Sequence, residues 1–530
     1  MFYVSLIPFL LLLINEYKNK LHMAQQNLYN DDNRFLRWTI KDIKSFKTPL
    51  KCSLVVVITY IILILFKLNT NVVTSIYFFI VCLIILLISV KEKKKEDTKI
   101  SLKVTARVKR LIVTNTILFG LVCFGLFFIK DNNIRQLGLF LYYMLVNFVI
   151  MLSIIINKPA EKMVYLSYKS KAVKKLKEAS NLKVIGITGS YGKTSSKNIL
   201  SDILNVKYNA LPSPKNFNTP YGLIITVNNY LDKFDDILIA EMGAYKVGEI
   251  KDLCDLVKPK YGILTKIGTA HIEIFGSQEN IQKGKFELIE SLPSDGIGVL
   301  NGDDELQLNY KLKNNCKILW IGIDNKDVDV RACDIKSTNK GTTFNVLFKG
   351  DKKKYEFTTK LLGYNNIYNI LASLALSKEF GLTIDEMKKA VLGVRSVEHR
   401  LELREAGNIT YIDDSYNSNP VGSKMALEVL KEMGGVRIVM TPGMVELGDK
   451  SYELNKKFGT YMKGSTDIVI LVGEKITKPI QDGLKEVGYK KENIYVVKNT
   501  KEAFSIVKSM ARDKKVSCLI ENDLPDIYNE

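Results

Sequence analysis

Val184-Ile185-Gly186-Ile187-Thr188-Gly189-Ser190-Tyr191-Gly192-Lys193-Thr194-Ser195 runs from a β-branched stretch into a glycine-bounded turn. Residues 184–188 read as a buried strand, 189–195 as a tight turn, and 194–204 as the helix that follows. In that context a loop binds phosphate. Its glycines let backbone N–H groups curl around the anion, and the helix N-terminus adds positive potential. Lys193 neutralises phosphate oxygens, and the Thr194 hydroxyl can ligate magnesium. Counted from Gly189 the loop is shorter than the G-x-x-x-x-G-K-[ST] pattern, so the strand-to-helix context carries the reading.

Working outward, residues 236–240 read as a second strand ending at Glu241-Met242-Gly243-Ala244. A carboxylate at the end of a parallel strand beside a phosphate loop is where a metal ligand is needed. The plainer alternative is a solvated loop glutamate. A third strand, 261–267, delivers Gly268-Thr269-Ala270-His271 to the same edge. A lone histidine is usually structural, but its place at a strand tip near Glu241 makes it a candidate ligand. From residue 182 onward, short β-branched runs alternate with helical patterns, as in α/β domains with mainly parallel sheets.

Composition sets the limits around this core. At 530 residues the chain exceeds what one hydrophobic core organises, so roughly two to four domains are expected. The 76 Lys and Arg against 56 Asp and Glu leave +20, suited to an anionic partner. The seven cysteines are scattered without a Cys-x-x-Cys pair, against a disulfide framework or zinc-thiolate site. With histidine only at 22, 271 and 399, multi-histidine metal sites and most Ser-His-Asp schemes lack members. No aromatic-basic recognition motif points to nucleic acid.

Before residue 160 the texture differs. Stretches 52–66, 72–90, 111–129 and 137–156 are apolar, the last three without charge and near the length of a membrane span. Lys51 and Lys67 can snorkel at the ends of the first. Residues 2–14 are apolar but shorter, and read as a fifth span or an interfacial segment. Segments 18–51 and 91–110 are rich in Lys and Arg. The positive-inside rule then predicts a multi-pass protein of the cell membrane with everything after residue 156 in the cytoplasm. Lysines 158, 162, 169, 171, 174, 175 and 177 would face anionic lipid.

The ordered motifs amount to a resemblance. Thr188-Gly189-Ser190-Tyr191-Gly192-Lys193-Thr194-Ser195, Glu241-Met242-Gly243-Ala244, and Gly268-Thr269-Ala270-His271 through Ser277 are similar to the ATP-dependent Mur ligases of peptidoglycan synthesis. Lys285, Asn301-Gly302-Asp303-Asp304, Gly363-Tyr364-Asn365-Asn366-Ile367-Tyr368-Asn369, His399-Arg400-Leu401 and Asp413-Asp414-Ser415-Tyr416-Asn417-Ser418-Asn419-Pro420 continue it. Gly443-Met444-Val445-Glu446-Leu447-Gly448 resembles most the branch that adds D-alanyl-D-alanine to a muramyl tripeptide.

The resemblance implies a fold, cofactors and roles. The fold class is α/β: a P-loop ATP-binding central domain over 183–399 and a C-terminal Rossmann-like domain over 400–530. An all-α transmembrane region over 1–157 and a basic linker over 158–182 precede them. ATP and Mg2+ are the implied cofactors. Gly189, Ser190, Tyr191, Gly192, Lys193, Thr194 and Ser195 would cradle the phosphates, and Thr194 with Glu241 would bind the first magnesium. His271 would help hold a second metal beside Lys285, which matches the lysine carbamylated in most of the family. Asn366 would approach the adenine, Arg400 the phosphates, and Asp414 the ribose. Lys193, His271, Lys285 and Arg400 are the catalytic set. Capping or packing roles are the alternatives, equally so for Asn369 and Asn417.

The family's usual histidine before Asn366 is Asn365 here, and its Lys-Gly-Ser-Arg stretch near the C-terminus gives way to Ile520-Glu521-Asn522-Asp523. Members of this branch begin with a domain that grips a uridine nucleotide, and residues 157–183 are too few to form one. Three readings follow. The first is a ligase joining a muramyl-peptide acid to an amine such as D-alanyl-D-alanine. The second is a Mur-like ligase acting on a lipid-linked acid or building a γ-linked polymer. The third is a membrane transporter or sensor switched by ATP, against which stand Glu241, His271 and Lys285 and the charge-free, proline-free apolar stretches.

Overall fold

The computed structural model describes residues 2–523 except 28, 30–32, 46–47, 67–70, 96–101, 339–340, 417 and 446. Asn417, Glu446 and the connection between the first two long apolar stretches therefore lie outside the described residues. The chain divides into two compact units, essentially residues 1–167 and 168–524.

The first unit is helical: Phe2–Gln26, Arg34–Ser45, Thr48–Leu65, Asn71–Lys95, Ala106–Phe127, Asn132–Met144 and the start of Val146–Glu178. Its core is aromatic, with Phe78 and Phe140 edge to face at 5.3 Å and Phe9 within 5.7 Å of Phe78. Polar groups inside it pair with one another, as Tyr60 donating to Gln136 Oε1 at 2.9 Å and Asn115 to Ser153 at 3.0 Å.

This unit corrects the expected four or five spans. Among the described residues two helices, Val72–Lys91 and Ala106–Phe127, are long and apolar enough to cross a membrane. The stretch 137–156 is not one straight helix. It breaks between Asn132–Met144 and Val146–Glu178 with a 67° bend, and counts as a third span only if that pair is taken as one. Lys51–Leu65 is short for a span. Residues 2–14 continue into a polar helix to Gln26 and bury Phe9, Leu12 and Leu13 in the unit's own core.

The second unit contains two sheets. Strands β1 (Lys183–Thr188), β2 (Ala210–Pro212), β3 (Ile237–Glu241), β4 (Tyr261–Leu264), β5 (Ile297–Asn301), β6 (Lys317–Gly322), β7 (Val330–Thr338), β8 (Gly341–Phe348) and β9 (Tyr355–Thr359) form the first, in the order β2-β3-β1-β4-β5-β6-β7-β8-β9. Pairing is parallel as far as β7 and antiparallel over the β7-β8-β9 meander. The central strands are buried on both faces, which is why they read as near-continuous apolar runs. Burying a side chain such as Ile185 or Ile187 contributes about 1.5–3 kcal/mol.

The second sheet holds β10 (Glu402–Ala406), β11 (Ile409–Asp414), β12 (Val436–Thr441), β13 (Ile468–Val472), β14 (Ile494–Val497) and β15 (Val516–Glu521), ordered β10-β11-β15-β12-β13-β14. All neighbours are parallel except β10, an antiparallel edge. In open parallel sheets ligands bind beyond the carboxyl ends of the strands. Thr188, Glu241 and Leu264 end strands of the first sheet, and Asp414 and Glu521 end strands of the second.

Candidate active site

The phosphate loop is built from β1 and the helix Lys193–Leu204. Gly189 has φ +151°, and a Cβ there would lie 1.9 Å from Thr265 Oγ1, so the position takes only glycine. Gly192 closes the turn at φ +83° and starts the helix without a side-chain cap. A helix beginning this way offers its first N–H groups and its dipole to an anion. The strand read as 261–267 stops at Leu264 because Thr265 turns inward. Its hydroxyl donates to Thr188 O at 3.1 Å and Tyr191 O at 2.6 Å. The Ser190 and Tyr191 amides donate to Lys266 O, so β1 and β4 shape the loop together.

Lys193 reaches back over the loop, its Nζ donating to Gly189 O at 2.8 Å and Ser190 O at 3.1 Å. Loss of solvent pushes its ammonium down to about 8; Glu241 works against that shift and Arg400 adds to it. A cation destabilised in this way gains when a phosphate arrives.

The β1–β3 register sets Ile187 beside Glu241 and brings that carboxylate under the loop. Glu241 Oε1 accepts from Thr194 Oγ1 at 3.2 Å and Asn218 Nδ2 at 3.1 Å. Its Oε2 accepts from Lys197 Nζ at 3.0 Å, and both side chains of that pair are 1% exposed. A hydroxyl and a carboxylate oxygen this close, next to phosphate-binding amides, are hard oxygen donors suited to Mg2+.

His271 has φ +59° and caps the short helix Ile272–Phe275, its ring 4.5 Å from Tyr245. Lys285 is 2% exposed; its Nζ donates to Ala244 O at 3.2 Å and lies 5.4 Å from the Phe275 ring. Burial, reinforced by Lys193, pushes it down to about 7. As a free amine Lys285 offers a metal no oxygen, yet the neutral amine is the form that reacts with carbon dioxide. Among the described residues, Glu241 and His271 belong to no cluster of three or more ligating side chains within 4.8 Å. Such a cluster forms instead at His399, Glu402 and Asp413, where Arg404 Nη2 lies 2.7 Å from Glu402 and 3.6 Å from Asp413 and already supplies the positive charge.

Arg400 sits between His399 and Leu401, both at positive φ, with its guanidinium 4.4 Å from the Tyr416 ring. Tyr416 in turn accepts from Asn216 Nδ2 at 2.9 Å, tying the second sheet's loop to the first sheet's edge. Asp414 and Glu521 are register partners at the ends of β11 and β15. Burial pushes the Asp414 carboxyl up to about 6 against the pull of Arg400, and burial beside Asp414 pushes Glu521 up as well.

A cavity of about 150 Å³ opens beside the loop, lined by Tyr191, Gly192, Thr265, Asn301, Tyr364 and Asn369 among others. Asn366 is not on its wall; its amide donates to Leu362 O at 2.8 Å, while Asn365 and Asn369 do line it. Asp303 and Asp304 are buttresses: Asp303 accepts from the Ile323 and Asn325 amides and the Tyr368 hydroxyl, and Asp304 from the Ile267 amide. Sequence reasoning missed Lys197 and Asn218. Lys197 stands one helical turn after Lys193, a spacing that could have marked it as facing the same region.

Residues 187–377 match the Mur ligase middle domain and residues 399–520 the Mur ligase glutamate ligase domain, together more than half of the chain. The chain belongs to the Mur ligase family. It is 32% identical over 295 residues to UDP-N-acetylmuramoyl-tripeptide–D-alanyl-D-alanine ligase of Escherichia coli, covering 55% of this chain and 65% of that one. It is 31% identical to the Bacillus subtilis enzyme of the same name, covering 52% and 59%. The chain thus spans less than two thirds of the length of these relatives. The crystal structure of MurF ligase from Thermotoga maritima in complex with ADP superposes with a TM-score of 0.61 at 25% identity, covering 69% of this chain and 81% of that one. These family matches begin at residue 187, after the helical unit. With at most three candidate spans and no support from the relatives, the expected placement as a multi-pass cell-membrane protein is withdrawn.

Proposed function

We propose that the chain is an ATP-dependent, ADP-forming ligase that joins a carboxylate to an amine, adding D-alanyl-D-alanine to a muramyl tripeptide in peptidoglycan synthesis. The observation that carries this reading is the Thr194–Glu241 pair at 3.2 Å under a loop that also holds Lys193. It is supported by the names of the relatives and by the ADP complex of a structural neighbour. Domain limits of 183–399 and 400–530 go with it.

An amine does not readily displace oxide from a carboxylate at neutral pH. The γ-phosphoryl group of ATP is therefore first passed to the acid, giving an acyl phosphate with a good leaving group. Two anions must meet in that step. Lys193 and Arg400 hold the charges that would otherwise repel, and the loop amides orient the phosphates. Thr194 and Glu241 would hold magnesium, which when bound would supply charge neutralisation at the phosphate oxygens. Closure of the second sheet's loops, carrying Arg400 and Asp414, over the nucleotide would shield the acyl phosphate from water. His271 and carbamylated Lys285 would serve a second metal, and Asp414 the ribose.

A second reading keeps the chemistry and changes the acid to a lipid-linked precursor or a growing γ-linked chain. The shared mechanism is tested by labelling the substrate carboxylate with 18O. The amine displaces phosphate carrying one carboxylate oxygen, so label should appear in inorganic phosphate. Amide formation with unlabelled phosphate would contradict the acyl phosphate.

A further inference from the structure

The geometry points to Lys197 as the residue that makes Glu241 a one-oxygen ligand and so decides which divalent cation the phosphate site accepts. This rests on the reading of Glu241 as a metal ligand. Lys197 lies on the same helix as Lys193 and Thr194, and its Nζ donates to Glu241 Oε2 at 3.0 Å. The ammonium is pinned from a second side by the backbone carbonyl of Lys215. Lys197 and Glu241 are each 1% exposed, so this contact is not a wandering surface pair. The carboxylate is fixed again at its backbone, whose N–H donates to Ser213 Oγ at 3.1 Å.

The two carboxylate oxygens consequently face different surroundings. Oε1 accepts from the Thr194 hydroxyl and the Asn218 amide on the side of the phosphate loop, while Oε2 accepts from the buried Lys197 Nζ. A carboxylate held this way presents one oxygen to an incoming ion. Mg2+ binds with tight octahedral geometry through single carboxylate oxygens and keeps its remaining positions for water and phosphate. Ca2+ is larger, takes six to eight ligands, and gains from a bidentate carboxylate. Lys197 denies it the second oxygen. The ammonium also cancels the charge of Glu241, leaving the nucleotide's phosphates to supply most of the attraction, so metal and nucleotide would bind together.

The test is calorimetric titration of the full-length protein with ATP in the presence of Mg2+ or of Ca2+, with no acid or amine present. Wild type should bind ATP about tenfold or more tightly with Mg2+ than with Ca2+, the size of effect that partners of metal ligands produce. Lys197→Gln, shorter and uncharged, should shrink that ratio to about threefold or less. A folded Lys197→Gln protein that keeps the wild-type ratio would overturn the inference. Equal affinities in wild type would overturn it without any variant. Glu241→Gln examines the underlying reading: survival of the Mg2+ effect in that protein removes Glu241 from the metal site, whatever Lys197 does.

Discussion

Lys285 carries the clearest consequence at the residue scale. Its folded pKa of about 7 lies below the ordinary value of 10.5, so between those limits the unfolded chain binds a proton that the folded chain does not. Stability from this group therefore rises with pH across that window. Lys285→Met should be more stable than wild type at about pH 7, with the gap narrowing by about pH 9.5 in urea unfolding under carbon-dioxide-free buffer. Parallel curves would contradict the burial of a titrating amine. Lys193→Ala and Glu241→Ala should each lower ligase turnover by at least about a hundredfold while preserving the circular dichroism spectrum. Near-normal amide formation in either would remove it from the phosphate or metal site. The placement of Lys193 in the loop and of Thr194 beside Glu241 was legible in the sequence, because the strand-turn-helix pattern sets those residues at adjoining strand and helix ends. Lys197 and Asn218 were not, since a lysine and an asparagine ordinarily read as solvated, and only the folded chain brings a helix and the loop after β2 onto one carboxylate.

Among elements, the phosphate loop is the least tolerant. Gly189→Ala places a Cβ 1.9 Å from the hydroxyl that holds Thr188 and Tyr191. The variant should lose ATP affinity by more than about tenfold and unfold at lower temperature. Unchanged ATP affinity in calorimetry would mean that the loop relaxes around the methyl group. A milder case is the helix Ile384–Gly393, capped by Thr383 with Glu386 reaching back in a capping box. Thr383→Ala should cost about 1 kcal/mol in chemical denaturation without touching turnover. Strands β1, β3 and β4 were readable from their short apolar runs. The strand 516–521 escaped that reading although it sits mid-sheet between β11 and β12, because its cysteine, serine and terminal glutamate dilute the apolar pattern. The edge strand β10 carries three charged residues in five and is defined by its antiparallel partner, which local sequence does not encode.

At the scale of the whole molecule, the α/β character of residues 183–523 was legible because alternating strand and helix patterns admit few topologies. The N-terminal helices were legible as helices, but among the described residues only two of the expected spans, Val72–Lys91 and Ala106–Phe127, are single helices long and apolar enough to cross a membrane. Apolar length alone does not separate a membrane-crossing helix from one that packs Phe9, Phe78 and Phe140 into its unit's own core, and the bend between residues 144 and 146 has no proline or glycine to announce it. We propose that the ligase half joins D-alanyl-D-alanine to a muramyl tripeptide at the expense of ATP. The most direct test incubates the full-length protein with Mg-ATP, D-alanyl-D-alanine and the UDP-linked muramyl tripeptide, following ADP and the product by mass spectrometry. One ADP and one phosphate are expected per muramyl pentapeptide formed. ADP release without amide, or no reaction with this acid and amine, would contradict the proposal.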